Sequence, residues 1–332
     1  QIYKDLTAVT STLSETVDPD SVALATPTVV NVTASEYGNA VVATRALQLF
    51  SLADVDPAIA NIIAYNMADS IDKLVMNELA GGTWVQYAGT AGHSSTATIT
   101  NADTIRAVDI RKTVAKLRAR SVVPRKGANY WVGIHPEVSL DLRAETGAAS
   151  WRDPHVYSEP ANIWAGEIGA FEGAFFVESP RLLVAGDGAN NGSAGAPSGI
   201  VLDGIQVATV TQTAHGYSTG DFITISGATG VTGVNGSWQI TVVDANTYTF
   251  FTTLSGTVTG TLASQKKHKN YRTMVSGMQG LAEAVAEEPH TVIGPITDKL
   301  MRLRPVGWYG VLGFKRFRED ALYRIESGSS IA

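Results

Sequence analysis

The sequence contains no cysteine, which excludes disulfide bonds and thiolate metal sites. Charged residues are scarce, at 17% of the 332 residues, and the formal net charge is −6. This composition argues against a coiled coil, a disordered chain and a protein that binds nucleic acid tightly over its whole surface. No apolar run approaches the length of a transmembrane helix, and no signal peptide is visible. Because the first residue is Gln1 and not methionine, we expect that an upstream segment was removed or left out.

Sequence motifs of catalysis and cofactor binding are also lacking. The six histidines are dispersed, and there is no phosphate-binding P-loop and no Gly-x-Ser-x-Gly nucleophile elbow. Neighbouring carboxylates such as Glu287-Glu288 point apart in regular structure, and His135-Pro136-Glu137 is typical of a strand end followed by a helix start. We therefore predict no enzyme activity, no catalytic residue, no cofactor and no metal site.

The most clearly marked element is a long helix over Asp54–Gly82, about 35 Å in length. Asp56 is a candidate N-cap, Pro57 suits the first helical position, and Gly81-Gly82 is a stop signal. Apolar residues recur at steps of three and four, so the helix has an apolar stripe that winds around it. The residues that we expect to be buried are Met67 and Ile71, and those expected to face solvent are Asn66, Asp69 and Lys73.

A second helix is predicted over Asn101–Arg120, capped by Asn101 or Asp103 and ended by Pro124. One side of it is apolar and the other is basic. The basic residues are Arg106, Arg111, Lys112, Lys116, Arg118 and Arg120. Charge runs usually form a solvated face, while the functional alternatives are contact with phosphate groups or with an acidic patch on a neighbouring subunit.

The remaining patterns favour strands. Residues 28–50 predict an extended hairpin or strand pair, with Glu36–Asn39 as the turn. Ala185–Gly199 has the composition of a flexible linker, and Gly204–Leu262 predicts a small β-barrel or sandwich inserted into a parent domain. After this unit we predict a short helical segment at Gly280–Ala286 and a sheet that returns to the parent domain. Ser327–Ser330 is predicted to be a weakly structured tail.

Four blocks of the sequence resemble the major capsid proteins of tailed bacteriophages, in particular the N4-like group. One block is Gly166-Glu167-Ile168-Gly169 with the following Phe171-Glu172-Gly173 and Phe175–Ser179. The others are the long helix ending in Asn77-Glu78-Leu79, the segment Tyr130–Pro136 with Leu140–Arg143, and the ending Val306–Trp308 through Arg324–Ser327. The blocks run in family order and cover most of the chain outside the predicted insertion.

The resemblance implies an α+β chain with the Hong Kong 97-type phage capsid fold and a small all-β insertion domain. The implied domains are an N-terminal arm (N-arm) at 1–26, an E-loop hairpin at 27–50, a P-domain with a long spine helix at 51–127, an A-domain at 128–196 and 266–290, the inserted β-domain at 197–265, and a P-domain return with the C-terminal tail at 291–332.

The function implied is that of a major capsid protein, which self-assembles into the icosahedral head shell around double-stranded phage DNA. The implied partners are neighbouring copies of the chain, in hexamers and pentamers, and packaged DNA in weak non-specific contact. Portal, scaffold and decoration proteins are further candidates, and no membrane is expected. The implied location is the virion capsid, assembled in the host cytoplasm.

One departure from some relatives concerns covalent crosslinking. These relatives seal the shell with a lysine–asparagine isopeptide bond from the E-loop, but this sequence has no lysine between Lys4 and Lys73. We therefore expect a shell without covalent E-loop crosslinks. The alternative function is a phage tail or adhesin subunit whose β-module binds carbohydrate through Tyr217, Trp238 and Tyr248. Packing of these three rings in the core is the competing interpretation.

Overall fold

The computed structural model describes residues 9–10, 12–13, 15–16, 29–45, 49, 55–146, 167–295 and 302–331. The predicted arm at 1–26 therefore lies mostly outside the described residues, as does Gly166 of the first capsid-like block. The chain divides into two compact units. The first contains Gln1–Glu78 and Gln279–Arg318, and the second contains Leu79–Met278 and Glu319–Ala332.

Helices and strands are mixed along the chain, as the α+β prediction requires. The helices in the described ranges are α1 (Val55–Ala80), α2 (Ala107–Ala119) and α3 (Pro136–Ala144). The strands there are β1 (Ser35–Thr44), β2 (Val85–Tyr87), β3 (Tyr130–Ile134), β4 (Glu167–Phe171), β5 (Ala174–Glu178), β6 (Val184–Ala185), β7 (Gly199–Leu202), β8 (Val207–Thr211), β9 (Phe222–Ser226), β10 (Gly236–Asp244), β11 (Thr247–Phe251), β12 (Ala263–Lys267), β13 (Asn270–Ser276), β14 (Leu281–Ile293), β15 (Leu303–Arg316) and β16 (Leu322–Ser327).

The first unit contains most of α1 and an antiparallel sheet of three strands in the order β1-β15-β14. β1 pairs with β15 along its whole length, from Ser35 opposite Leu312 to Thr44 opposite Leu303. The fully buried members of the apolar core between helix and sheet are Ala43, Ile59, Ile63 and Trp308. This core is small for a helix of 26 residues and a sheet of three strands.

Helix α1 confirms the predicted stop and corrects the predicted start. It ends at Ala80, directly before Gly81-Gly82. It begins at Val55, so Asp56 lies within the helix and does not precede it as an N-cap. The first helical residue is Val55 and not Pro57, a difference of two residues that is within the usual uncertainty of a helix boundary.

The predicted faces of α1 are only partly correct. Met67 and Ile71, which we expected to be buried, are half-buried. Lys73 is exposed as predicted. Asn66, which we expected to face solvent, accepts a hydrogen bond of 2.9 Å from the indole Nε1 of Trp308. Asn66 thus satisfies the one polar atom of a buried tryptophan ring, a requirement that apolar periodicity does not reveal.

Two local predictions, a turn and a short helix, are wrong because both segments are strands that pair with β15, which lies elsewhere in the sequence. Glu36–Asn39, predicted as a turn, lies inside β1, where each residue has a partner on β15. Among the described residues, 27–50 therefore forms one limb of a sheet and no hairpin with itself. Most of Gly280–Ala286, predicted as helical, lies in β14, which also pairs with β15. The backbone hydrogen bonds offered by β15 outweigh weak local preferences.

The second unit contains two sheets, each with its own core. The larger sheet has seven strands, in the order β2-β16-β13-β3-β5-β4 with β6 beside β13. Its β2–β16 and β3–β5 pairs are parallel, and the other pairs are antiparallel. Helices α2 and α3 contribute to one core with this sheet. Its residues include Ile110, Leu117, Val132, Val138, Leu142, Phe176 and Ile325.

Helix α2 starts later than predicted and lies in the second unit. Asp103, one of the two predicted caps, accepts hydrogen bonds from the amide and hydroxyl of Thr100 in the preceding loop. The helix then starts at Ala107 and ends at Ala119, well before Pro124. The domains implied by the resemblance place this helix with α1 in the P-domain. In the structure it packs in the same compact unit as residues 128–146. The domain borders and names remain a prediction.

The second sheet, which we call the β-module (residues 199–267), has six antiparallel strands in the order β12-β9-β10-β11-β8-β7. Tyr248 is fully buried in its core, and Tyr217 and Trp238 pack against that core. The Trp238 ring stacks on Phe250 with the ring centroids 4.6 Å apart. The packing interpretation of the three predicted aromatic residues is therefore confirmed.

The predicted flexible linker at 185–199 is wrong, because this segment is held by backbone hydrogen bonds. The amide of Gly195 donates to the carbonyl of Ser264 over 2.7 Å, and the reverse bond measures 2.9 Å. Glycine is needed for close approach, since a Cβ atom at Gly186 would lie 2.1 Å from the Cβ atom of Phe222. The small residues thus permit packing and do not indicate flexibility.

The larger sheet contains a buried charge network that includes the end of α1. Arg324 on β16 donates from Nη1 to the carbonyls of Ala80 and Gly82, over 2.5 and 2.8 Å. Its Nε donates to Oε1 of Glu326 over 2.7 Å, and the Glu326 side chain is fully buried. Arg272 Nε lies 3.8 Å from the same carboxylate oxygen. Arg324 therefore satisfies carbonyls at the helix end and balances a buried negative charge.

The predicted weak tail at Ser327–Ser330 is also wrong. Ser327 and Ser329 are fully buried. The amide of Gly328 donates to the carbonyl of Asp103 over 2.9 Å, and the amide of Ser330 donates to Oδ2 of Asp141 over 3.0 Å. The serine-rich composition of this segment therefore serves hydrogen bonding next to a core and does not indicate weak structure.

We predict that Arg324→Met lowers the free energy of unfolding by about 3–5 kcal/mol, because it leaves Glu326 with a weaker charge partner and removes two donors from the end of α1. The matched control is Lys315→Met, since Lys315 is 51% exposed and lies 3.9 Å from Glu78. It should change stability by less than about 1 kcal/mol. Urea unfolding measures both, and equal effects would contradict this account.

Candidate functional site

The predicted basic residues lie on α2 or directly next to its ends, since Arg106 precedes the helix and Arg120 follows it. The buried residues of the helix are Ala107, Asp109, Ile110, Thr113, Val114 and Leu117. The N-terminus of the helix is capped from a distance, because Oε2 of Glu145 accepts a hydrogen bond of 2.8 Å from the amide of Ala107. A carboxylate at this position also interacts favourably with the helix dipole.

A buried carboxyl group lies beneath the first turn of α2. The Asp109 side chain is fully buried, with Arg106 Nε at 3.9 Å and Lys112 Nζ at 4.0 Å. Burial raises the pKa of Asp109, while the positive charges of Arg106 and Lys112 act to lower it. Part of the basic charge on this helix therefore compensates a buried acid.

Arg111 makes a contact within its own unit. Its Nε donates to Oε1 of Glu172 over 2.8 Å. Glu172 and Gly173 form the tight turn between β4 and β5, and both have positive φ angles, of 52° and 81°. The Phe171-Glu172-Gly173 block noted in the sequence is thus a turn whose carboxylate faces the basic helix.

Two further basic residues cover aromatic rings. Lys116 donates to Oε1 of Gln86 over 2.8 Å and lies 5.2 Å from the centroid of the Tyr323 ring. The guanidinium of Arg120 lies 3.4 Å above the ring of Trp84. Such cation–π contacts stabilise partly exposed sites by about 0.5–2 kcal/mol. These two residues hold the end of α2 against β2 and β16.

The remaining basic residues are more accessible. Arg118 is exposed, and its guanidinium lies beside Gly173, which has no side chain to obstruct it. Lys112 is 52% exposed. The geometry thus brings all six predicted residues into contacts within their own unit, Arg118 with Tyr130 and Gly173. Whether the face also contacts DNA or another subunit remains a prediction.

The first unit carries an exposed apolar surface that the sequence analysis missed. On β1 and α1 its large exposed residues are Val41, Val42, Ile62 and Tyr65, and on β14 they are Val285, Val292 and Ile293. Neighbouring apolar residues in a strand point to opposite faces, so Val41-Val42 and Val292-Ile293 cannot all lie in one core. Such pairs of adjacent apolar residues within a strand are the sequence signal from which the exposed surface could have been predicted.

A groove of about 350 Å³ lies in this sheet. The residues that line it include Gly38, Val292, Gly294, Pro305, Gly307 and Trp308. Glycine is required at position 307, since a Cβ atom there would lie 2.5 Å from the carbonyl oxygen of Asn39 on the neighbouring strand. The outer edges of β1 and β14 have no strand partner among the described residues.

Two other kinds of site are lacking in the described residues. No cluster of His, Asp or Glu that could hold a metal ion occurs in the part of the chain that the structure describes. No helix in the same ranges is long and apolar enough to span a membrane.

Comparison with known proteins adds a family and a fold. A family model described as phage capsid protein matches residues 1–329. The structure is similar to the capsid of Ralstonia phage GP4, with a TM-score of 0.54 and 13% identity over 90% of this chain and 74% of that one. It is similar to the cyanophage Pam1 capsid asymmetric unit, with a TM-score of 0.52 and 14% identity over 99% of this chain and 84% of that one. No curated protein matches the sequence.

We predict that Arg111→Glu lowers stability by about 1 kcal/mol, since it places two carboxylates in contact across the 2.8 Å pair. The exchange Arg111→Glu with Glu172→Arg should restore both thermal stability and shell yield, measured by calorimetry and negative-stain microscopy. If the exchange restored stability but not shell yield, Arg111 would have its essential partner on another subunit. The Arg111–Glu172 contact would then not explain why assembly needs Arg111.

Proposed function

The chain belongs to the phage capsid protein family, whose model matches residues 1–329, and from this premise we propose how its two units serve the shell. The chain is a major capsid protein, and copies of it form the icosahedral capsid of a bacteriophage. The proposal concerns the interactions that hold those copies together. In this proposal the first unit makes the contacts between subunits, and the second unit folds around its own cores.

The observation that carries this proposal is the exposed apolar surface of the first unit. Among the described residues the buried apolar side chains of this unit are few, namely Ala43, Ile59, Ile63, Trp308 and Leu312, while large apolar side chains on α1, β1 and β14 are mainly exposed. Exposed patches of this kind mark interaction sites, because burying them removes apolar area from water. We infer that neighbouring subunits cover this surface in the shell.

The outer edges of β1 and β14, which pair with no other strand in the described part of the chain, support the same assignment. An exposed strand edge is a liability in a free protein, but it can pair with a segment of another chain. The glycine-lined groove in the sheet offers room for such a segment. Many copies of a modest contact then add up through multivalency, so that no single contact needs high affinity.

In finer terms we propose the Hong Kong 97-type arrangement. Helix α1 is the spine of the P-domain, β1 is a limb of the E-loop, and the larger sheet of the second unit is the body of the A-domain. The β-module is the insertion domain, and the N-arm at 1–26 contacts a neighbour. Support comes from the length of α1, the separate core of the β-module and the order of the capsid-like blocks. Membership of the N4-like group belongs to the same proposal.

The proposed partners are copies of the chain in hexamers and pentamers, together with packaged DNA in weak contact. A net charge of −6 disfavours strong binding of the DNA backbone. The basic groups of α2 contact their own unit, and we propose the two exposed residues Lys112 and Arg118 as the cations that reach DNA. We place assembly in the host cytoplasm, and portal, scaffold or decoration proteins are further proposed partners.

The alternative of a tail or adhesin subunit loses its sequence support. The three aromatic residues that suggested carbohydrate binding lie in or against the core of the β-module. The family match over residues 1–329 favours a capsid shell protein.

We predict that Val42→Asp prevents shell assembly and leaves the subunit folded. Val42 is 53% exposed, so a charge there is tolerated by the free subunit but is costly at a dry interface. The control is Val243→Asp, because Val243 is 64% exposed on β10 of the β-module. Negative-stain microscopy and sedimentation should show shells for the control alone. Normal shells from Val42→Asp would show that this surface is not part of the interface between subunits.

We also predict that purified shells, when boiled in sodium dodecyl sulfate, release a single band at the mass of one chain. The physical reason is that the segment between Lys4 and Lys73 lacks the lysine needed for an E-loop isopeptide bond. The control is unheated sample, which should remain at high mass if detergent alone does not dissociate the shell. A ladder of covalent multimers after boiling would contradict the non-covalent account.

A further inference from the structure

The β-module carries a groove on its outward face, on the side opposite its core. The groove has a volume of about 480 Å³, within the range of roughly 300–1,000 Å³ that is usual for small-ligand sites. Its lining residues are Val207, Thr219, Gln239, Thr241, Thr249 and Phe251, together with Gly220 and the core residues Ile240 and Phe250. None of the groove's lining residues is charged. The groove therefore favours a neutral ligand.

An exposed aromatic ring forms the apolar part of the groove. Phe251 is 64% exposed, whereas its neighbour Phe250 is buried against Trp238. Alternation along β11 accounts for this difference, since successive side chains point to opposite faces. Phe251 pairs across the sheet with Val207, which is also exposed. The pair gives a flat apolar platform at one end of the groove.

Hydroxyl and amide groups form the polar part. Thr249 and Thr241 lie opposite one another on β11 and β10, and the Thr249 hydroxyl donates to the carbonyl of Thr241 over 3.3 Å, so that it can still accept a hydrogen bond. Thr219 Oγ1 accepts a hydrogen bond of 2.9 Å from the amide of Val242, so its own proton is available to another acceptor. Gln239 uses Nε2 in a long bond of 3.4 Å to the carbonyl of Gly220. Its Oε1 has no hydrogen-bond donor among the residues that the structure describes.

The groove is preformed on a rigid floor. Strands β8, β11 and β10 are paired in register beneath it. Gly220 has φ of +94°, a conformation that favours glycine, and its amide donates to the carbonyl of Ile240 over 2.8 Å. A preformed site loses little conformational entropy when a ligand binds.

We propose that this groove binds a neutral carbohydrate. The apolar C–H face of a sugar ring packs on Phe251, and its hydroxyl groups bond to Gln239 and the threonine hydroxyls. The absence of a cationic side chain disfavours acidic glycans and nucleic acids. This site is distinct from the shell contacts of the first unit. Tight binding of a multivalent carbohydrate by many copies on one particle requires the proposed function, that is, shell assembly. Binding of a carbohydrate by a single subunit does not require it.

The test uses assembled full-length protein and saturation-transfer difference NMR. The probes are maltohexaose, cellohexaose and N-acetylchitopentaose, with a heparin hexasaccharide as the acidic comparison. We expect at least one neutral probe to bind and the heparin fragment not to bind. Failure of all three neutral probes, or preferential binding of heparin, would overturn the proposal.

Variants assign the binding to the groove. Phe251→Ala should weaken it at least about tenfold, while Phe251→Tyr keeps the ring and should retain it within about threefold. Val243→Ala is the matched control, because Val243 is equally exposed on the same sheet but does not line the groove. Binding that is unchanged in Phe251→Ala would overturn the assignment.

Microscopy of the same samples separates this proposal from the proposed function. Phe251→Ala should form normal shells, since the residue takes no part in the assembly surface proposed for the first unit. Loss of shells in Phe251→Ala alone would show that the groove is a contact between subunits and would overturn carbohydrate binding. Loss of shells in the unmodified protein would instead contradict the proposed function.

Discussion

Among the described residues of the first unit, more large apolar side chains are exposed than buried, and the proposed role of this unit depends on that imbalance. Helix α1 is amphipathic only in part, because Ile59 and Ile63 are buried while Ile62 and Tyr65 are exposed. The sheet beside it has apolar residues on both faces and two edges without strand partners among the described residues. Such a unit gains stability when further copies cover it. We propose that folding and assembly of this capsid protein are thereby coupled.

The second unit follows a different principle. Its larger sheet and two helices share a core of fully buried residues, and its β-module has another. Buried charges are compensated locally, as Arg324 and Glu326 show at the end of α1. The basic face of α2 is consistent with this, since most of its cations contact acids, carbonyls or rings of the same unit. The second unit can therefore hold its shape while the first adapts to its neighbours.

Much of this fold could be predicted from the sequence, but the long-range pairings could not. The stop of α1 follows from Gly81-Gly82, and the β-module follows from alternation between glycine turns. By contrast, β15 determines the structure of β1 and β14 from far along the chain, so local turn and helix signals there were misleading. The basic residues were found by charge alone, but their partners, such as Glu172 and Trp84, became visible only in three dimensions.

Hydrogen–deuterium exchange on free subunits and on assembled shells tests most directly whether assembly completes the first unit. Backbone amides of β1, β14 and α1 should exchange at least about tenfold more slowly in the shell, because neighbours cover them. Amides of β3 and β13, in the core of the second unit, should be protected equally in both states. Equal protection of the first unit in free subunits and shells would contradict the account.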